Sequence, residues 1–152
     1  MEEHSAFWYF VHNQVAMTTL LAWFVAQTIK VAAGVIREKK FNFKWFVGTG
    51  GMPSSHVAGV TALTTSVGMQ EGIGTALFAV TLMFAIVVIC DAQGVRWSTG
   101  KQAEILNKIL DDIYWEKKIQ EDRLKEFIGH TPIQVWAGIA VGLFVAFLAY
   151  AV

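Results

Sequence analysis

The segment Gly-Gly-Met-Pro-Ser-Ser-His at residues 50–56 contains the residue types best suited to chemistry. Its glycines and proline predict a turn, and the serines that follow predict the start of a helix. The first N–H groups of a helix have no intrahelical acceptor, and the helix dipole adds positive potential, so a phosphate is favoured there. His56 would lie in the first turn, where an imidazole can act as acid, base or nucleophile near neutral pH. We therefore expect phosphate chemistry at this turn.

The composition predicts an all-α integral membrane helical bundle formed by a single domain, residues 1–152. Hydrophobic residues make up 55% of the chain and charged residues only 16%, whereas soluble domains have about a quarter charged residues. The single cysteine, Cys90, excludes an intrachain disulfide and a multi-cysteine zinc site. We expect the membrane as a partner and no nucleic acid.

Apolar stretches predict about four transmembrane spans, at residues 14–36, 54–70, 75–95 and 133–152. A helix that crosses a bilayer needs roughly 20 such residues. The second stretch is the weakest and is rich in small residues, which favours packing among other helices, with a re-entrant helix as the alternative. Residues 103–113 repeat apolar side chains at helical spacing, which predicts a cytoplasmic amphipathic helix with one buried or membrane-facing stripe.

The positive charges predict the orientation in the membrane. All 12 lysines and arginines except Lys30 lie in residues 37–53 and 96–132, which the positive-inside rule places in the cytoplasm. This topology predicts an integral protein of the cytoplasmic (inner) membrane with its active site facing the cytoplasm. It gathers several polar residues at the cytoplasmic ends of helices: Lys30, Arg37, Ser54, Ser55, His56, Asp91, Arg96, His130 and Gln134. Cations, histidines and hydroxyls at one depth suit phosphoryl chemistry.

Four motifs occur in order along the chain, at residues 50–56, 91–96, 100–107 and 129–132. They read Gly-Gly-Met-Pro-Ser-Ser-His, Asp-Ala-Gln-Gly-Val-Arg, Gly-Lys-Gln-Ala-Glu-Ile-Leu-Asn and Gly-His-Thr-Pro. Together they resemble the type 2 phosphatidic acid phosphatase superfamily, which is related to vanadium haloperoxidases. The resemblance is closer to that superfamily's divergent bacterial and plastid branch, and it covers nearly the whole chain.

The three general motifs of the superfamily are only partly present. Lys30 and Arg37 have the spacing of the first motif, but a glutamate replaces its proline. In the second motif, Ser55 stands where the superfamily has glycine. His130 matches the histidine of the third motif, whereas Gln134 stands at its aspartate position and a leucine at its arginine position. Arg96 or Arg123 would supply the missing cation, and we favour the former because it follows a span that ends at the proposed site.

The resemblance implies a role for each matching residue. His130 would attack phosphorus, and His56 would protonate the leaving alkoxide. The phosphate oxygens would be held by Lys30, Arg37, Ser54, Ser55 and Arg96. Gln134 and Gln102 would support the site.

The missing carboxylate leaves two alternatives, because a third member normally orients the reactive histidine. Asp91 would either replace it or hold a divalent metal such as Mg, together with Glu104 or Asp111.

The resemblance implies hydrolysis of a lipid phosphate monoester at the cytoplasmic face, with phosphatidylglycerophosphate or phosphatidic acid favoured. The alternative is a non-catalytic membrane scaffold that binds phosphate headgroups, which the altered third motif supports. Gly138 and Gly142 suggest close packing of the last span against a partner helix, so a homodimer is also open.

Overall fold

The computed structural model of the chain describes residues 5–39, 51–113 and 131–151, and every regular element in these ranges is an α-helix. The helices are α1 (Ala6–Val11), α2 (Gln14–Glu38), α3 (Ser55–Gln70), α4 (Ala76–Gln93), α5 (Val95–Ile113) and α6 (Pro132–Ala151). The predicted all-α helical bundle is confirmed.

Side-chain caps fix where three of these helices begin. Asn13 accepts a hydrogen bond from the backbone N–H of Ala16 at the start of α2, at 3.0 Å. Thr75 accepts one from the N–H of Phe78 at the start of α4, at 3.2 Å. Ser54 caps α3 in the same way. Each cap satisfies a donor that has no acceptor inside its own helix.

Three helices of the described ranges are long and apolar enough to cross a membrane: Gln14–Ile36, Ala76–Gln93 and Pro132–Ala151. They correspond to the first, third and fourth predicted spans. Helix α3 has 16 residues, fewer than the roughly 20 that a bilayer requires. Complete crossing by this helix stays a prediction.

Helix α3 is the centre of the bundle. It packs against α2, α4 and α6, and α2 also contacts α6, whereas α2 and α4 do not contact each other. Small residues allow this close packing: Ala62 of α3 is fully buried in a cluster with Ala22 of α2 and Ala146 of α6. The prediction that residues 54–70 form a helix packed among other helices is confirmed.

Hydrogen bonds between helix ends define two ends of the bundle. At what we call the opposite end, Gln14 donates to the carbonyl of Ala149 at 3.1 Å, and Tyr150 donates to the side chain of Gln70 at 3.2 Å. What we call the site end contains the last part of α2 and the first turns of α3 and α6, joined by the hydrogen bond from Ser54 N–H to the Gln134 carbonyl. Helices α2 and α4 therefore run antiparallel to α3, whereas α6 runs parallel to it.

The glycines of α6 pack inside the same chain. A Cβ atom at Gly138 would lie 2.7 Å from the carbonyl oxygen of Ser54, and one at Gly142 would lie 2.5 Å from that of Ala58. The glycine face of α6 is thus occupied by α3. The helix that covers these glycines is α3, which sequence spacing alone does not identify. The homodimer stays a prediction.

Helix α5 contacts only α4 among the described helices. Its buried positions include Ala103 and Asn107, whereas Ile105, Leu106 and Ile109 are exposed. The predicted stripe is therefore only partly buried against the described helices. A membrane-facing role for its exposed apolar residues stays a prediction.

Candidate phosphate-binding site

Lys30 is the buried cation of the site end. Its side chain is 9% exposed, and its ammonium nitrogen donates to Gln27 Oε1 at 3.1 Å and lies 3.4 Å from Ser55 Oγ. Lys30 therefore does not extend along the surface toward water, as a lysine near the end of a span can. Helix α2 brings it against the first residue of α3.

Both neighbours of the ammonium group are neutral. Among the side chains that the structure describes, the polar contacts of the Lys30 ammonium are with Gln27 and Ser55 and none is with a carboxylate. Burial of a charge is costly unless an opposite charge compensates it. A buried ammonium held by two neutral oxygens is accordingly suited to an anion that comes from outside the chain.

Gly51 lets the loop before α3 approach this lysine. Its φ of +90° lies in the left-handed region that favours glycine. A Cβ atom here would lie 3.1 Å from Cγ and 3.3 Å from Cδ of Lys30. The aliphatic part of the lysine is thus covered by backbone, while its ammonium group faces the start of α3.

Ser54 has a structural role at the start of α3, and its predicted phosphate-binding role stays a prediction. Its hydroxyl accepts the N–H of Val57 at 3.5 Å, and its own N–H donates to the Gln134 carbonyl at 3.1 Å. The side chain is fully buried. These contacts cap α3 and join it to α6, so the hydroxyl is engaged by the helix start. Ser55, next in the chain, is the serine that contacts Lys30.

His56 is exposed in the first turn of α3. On α3, Ser55 contacts α2 and Thr64 contacts Thr81 of α4. Successive helical residues are turned by about 100°, so His56 lies between these two sides of the helix. Because α2 and α4 do not contact each other in the described part of the chain, the histidine lies on the side of α3 that faces the space between them. It is therefore next to the lysine site.

Asp91 lies in the last turn of α4 and is half-buried. The next residue, Ala92, is buried against Val57 of α3 and Val135 of α6. This packing brings the end of α4 to the site end, as the sequence predicted. The role of Asp91 as a replacement carboxylate stays a prediction.

Gln134 forms part of a helix cap that we did not predict. Its Oε1 accepts the backbone N–H of Thr131 at 3.1 Å, while its backbone carbonyl accepts from Ser54. The sequence Thr-Pro-Ile-Gln at 131–134 is a capping-box pattern with proline at the first helical position. This pattern in the sequence predicts the cap, and the cap explains the presence of Gln134 by its structural role.

Several predicted site residues, or their side chains, lie outside the part of the chain that the structure describes. His130 is outside the described residues, and so are the side chains of Arg37 and Arg96, whose backbones belong to α2 and α5. Gln102 is exposed on α5. Their predicted roles stay predictions.

Glu104 is already paired with two cations. It lies 2.9 Å from the ammonium of Lys108 and 3.5 Å from that of Lys101. The hydrogen bond from Lys108 is the main reason that the pKa of Glu104 is below its ordinary value. Among the described residues, no three histidine, cysteine, aspartate or glutamate side chains are grouped to hold a metal ion. The metal alternative for Asp91 and Glu104 therefore gains no support from this region.

Comparison with known proteins identifies relatives across most of the chain. A family model described as "Divergent PAP2 family" matches residues 11–145. The uncharacterized membrane protein YuiD of Bacillus subtilis (strain 168) is 38% identical over 150 residues, which cover 91% of this chain and 95% of that protein. No solved structure gives a significant match.

Proposed function

This chain belongs to the Divergent PAP2 family, and we propose that it is a membrane phosphatase that hydrolyses a lipid phosphate monoester. The observation that carries the proposal is the buried Lys30 ammonium group between Gln27 and Ser55, with no carboxylate partner among the described side chains. A phosphate would supply the missing negative charge. The start of α3, next to the ammonium, adds the positive potential of a helix N-terminus.

The proposed reaction uses one histidine on each side of the phosphate. A ring nitrogen of His130 attacks phosphorus, the ester P–O bond breaks, and His56 gives a proton to the alkoxide that leaves. Water then cleaves the N–P bond of the phosphohistidine and releases inorganic phosphate. Lys30 neutralises charge on the phosphate oxygens, which is the main catalytic requirement of phosphoryl transfer.

A lipid substrate is favoured by the side on which the site opens. His56 lies on the side of α3 that faces the space between α2 and α4, which are not in contact. Both of these helices are candidate membrane spans, so a molecule that reaches His56 along this space approaches through the bilayer. Phosphatidylglycerophosphate and phosphatidic acid carry the phosphate monoester that the reaction requires.

We place the protein in the cytoplasmic (inner) membrane with the site end toward the cytoplasm. The support is the distribution of Lys and Arg, which are concentrated in residues 37–53 and 96–132. Both segments adjoin the site end, because they follow α2 and α4. Substrates presented on the cytoplasmic leaflet are therefore the ones to test first.

The decisive experiment measures phosphate release by the purified protein from a panel of lipid phosphates, with and without EDTA. His130→Ala and His56→Ala are compared with His12→Ala, a histidine near the opposite end. Loss of release in the first two variants, retention in the third and no effect of EDTA would support the phosphohistidine reaction. Release that EDTA abolishes would instead support metal-assisted hydrolysis with Asp91 as a ligand.

A second candidate function is a phosphate-binding scaffold without catalysis. The observation that favours it is the capping role of Gln134, which stands where the superfamily has its aspartate and which engages Thr131. A neutral amide cannot raise the basicity of a histidine as a carboxylate does. Binding of a lipid phosphate without release of phosphate from any member of the panel would identify this function and exclude the phosphatase.

A further inference from the structure

Gln27 is the buried neighbour of Lys30 to which the sequence assigned no role at the site. Its side chain is 3% exposed, and its Oε1 accepts from the lysine ammonium at 3.1 Å. We propose that Gln27 is a positioning residue that holds the Lys30 ammonium in place without neutralising its charge. The inference rests on the proposed function, since the charge is useful only if an anion binds there.

The position of Gln27 on α2 explains the contact. Residues three apart on a helix lie on the same face and are close enough to interact. A lysine ammonium has three hydrogen-bond donors. In the described ranges, Gln27 and Ser55 use two of them, which leaves one for a phosphate oxygen. The two protein acceptors thereby set the direction of the third donor.

The neutral charge of the glutamine is the essential part of the inference. A glutamate of the same size at position 27 would form a buried ion pair with Lys30. Opposite charges at this distance attract strongly in a protein interior, which would stabilise the ammonium but cancel its attraction for a phosphate. A residue that served only to stabilise the lysine would be at least as effective with a carboxylate. The amide is suited to a lysine whose charge is needed by a ligand.

The test is the substitution Gln27→Glu in the full-length protein, with Gln14→Glu as the matched control. Gln14 is on the same helix, but it lies at the opposite end and donates to the Ala149 carbonyl. We measure kcat/KM for phosphate release, binding of orthovanadate as a phosphate analogue, and the thermal unfolding temperature in detergent.

We expect Gln27→Glu to lower kcat/KM and orthovanadate affinity at neutral pH at least tenfold, with an unfolding temperature equal to or above that of the wild type. The loss should shrink as the pH is lowered, because a protonated glutamate is again neutral. Gln14→Glu should leave both functional measurements within twofold. A purely structural role would instead couple any loss of activity to a lower unfolding temperature, with no recovery in acid.

Other outcomes separate this inference from the proposed function. If the wild type releases phosphate, and Gln27→Glu releases phosphate and binds orthovanadate as well as the wild type does, the positioning role alone is overturned. If the wild type binds orthovanadate without releasing phosphate, the phosphatase fails, and the comparison of affinities still decides the role of Gln27. A wild-type protein with neither release nor binding would overturn both proposals.

Discussion

The two ends of the bundle are both held together by hydrogen bonds between helices, but the groups that form these bonds differ. At the opposite end, exposed neutral side chains join the helices, as in the hydrogen bonds from Gln14 to the Ala149 carbonyl and from Tyr150 to Gln70. At the site end, the groups that join α2 to α3 are buried and include the Lys30 ammonium. Hydrogen bonds between neutral groups are sufficient to hold helices together. The buried charge at the site end therefore indicates a function beyond structure.

Within the site end, the polar groups that join helices differ from those that are suited to bind a ligand. Ser54 and Gln134 use their polar groups to cap and join helices. Lys30 and Ser55 contact each other across α2 and α3, and no carboxylate of the described ranges completes their interaction. We accordingly expect different results from substitutions in these two pairs and at the opposite end.

Lys30→Met should have the largest effect on function. Removal of the ammonium should reduce phosphate release by about 100-fold or more, the magnitude typical of a lost donor to a transition-state oxygen. The unfolding temperature should stay the same or rise, because methionine avoids the cost of a buried charge. Phosphate release and thermal unfolding in detergent are measured on the same preparation.

Lys108→Met is the control for that substitution. Lys108 is exposed on α5 and pairs with Glu104, so its loss should leave phosphate release within twofold of the wild type. Comparable losses in the two variants would contradict a specific role for the buried lysine and would remove the functional difference between the site end and the rest of the chain.

Gly138→Ala should have an intermediate effect, on stability first. The added Cβ would lie 2.7 Å from the carbonyl oxygen of Ser54, so α6 must move away from α3, at a cost of about 1–3 kcal/mol. Gly74→Ala, at the opposite end, adds a Cβ with no atom within 4 Å and should change little. Thermal unfolding measures the difference, and equal stability of the two variants would argue against the close packing of α6 on α3.

Tyr150→Phe should have the smallest effect. It removes one exposed hydrogen bond, to Gln70 at the opposite end, and the expected loss is about 0.5 kcal/mol or less. Phosphate release should remain at the wild-type level. A loss of release similar to that in Lys30→Met would show that the two ends are not functionally distinct.

The sequence was sufficient to predict the long helices and the approach of Lys30 to the start of α3. Apolar stretches separated by turns set the spans, and the Pro-Ser-Ser-His segment marked the start of α3 at Ser55. The topology placed Lys30 near Ser55, which the structure confirms with a contact at 3.4 Å. These features depend on local patterns, which are readable without tertiary information.

The specific partners within the site were less accessible from the sequence. Adjacent serines at 54 and 55 have different roles, because one caps the helix and the other faces α2. The helix that covers Gly138 is set by tertiary packing, and no spacing pattern identifies it. The contact of Gln27 with Lys30 follows helical spacing, so the sequence alone contained enough information to predict this contact.

The hydrogen bond between Ser54 and the Gln134 carbonyl has a consequence for the order of events during biosynthesis. Helix α3 leaves the ribosome long before α6, by on the order of several seconds at ordinary rates of translation. Until α6 inserts and docks, the start of α3 lacks this acceptor and the carbonyl of Ser54 lacks its glycine neighbour. The growing chain therefore carries an unfinished site end, which is assembled only when the bundle is complete.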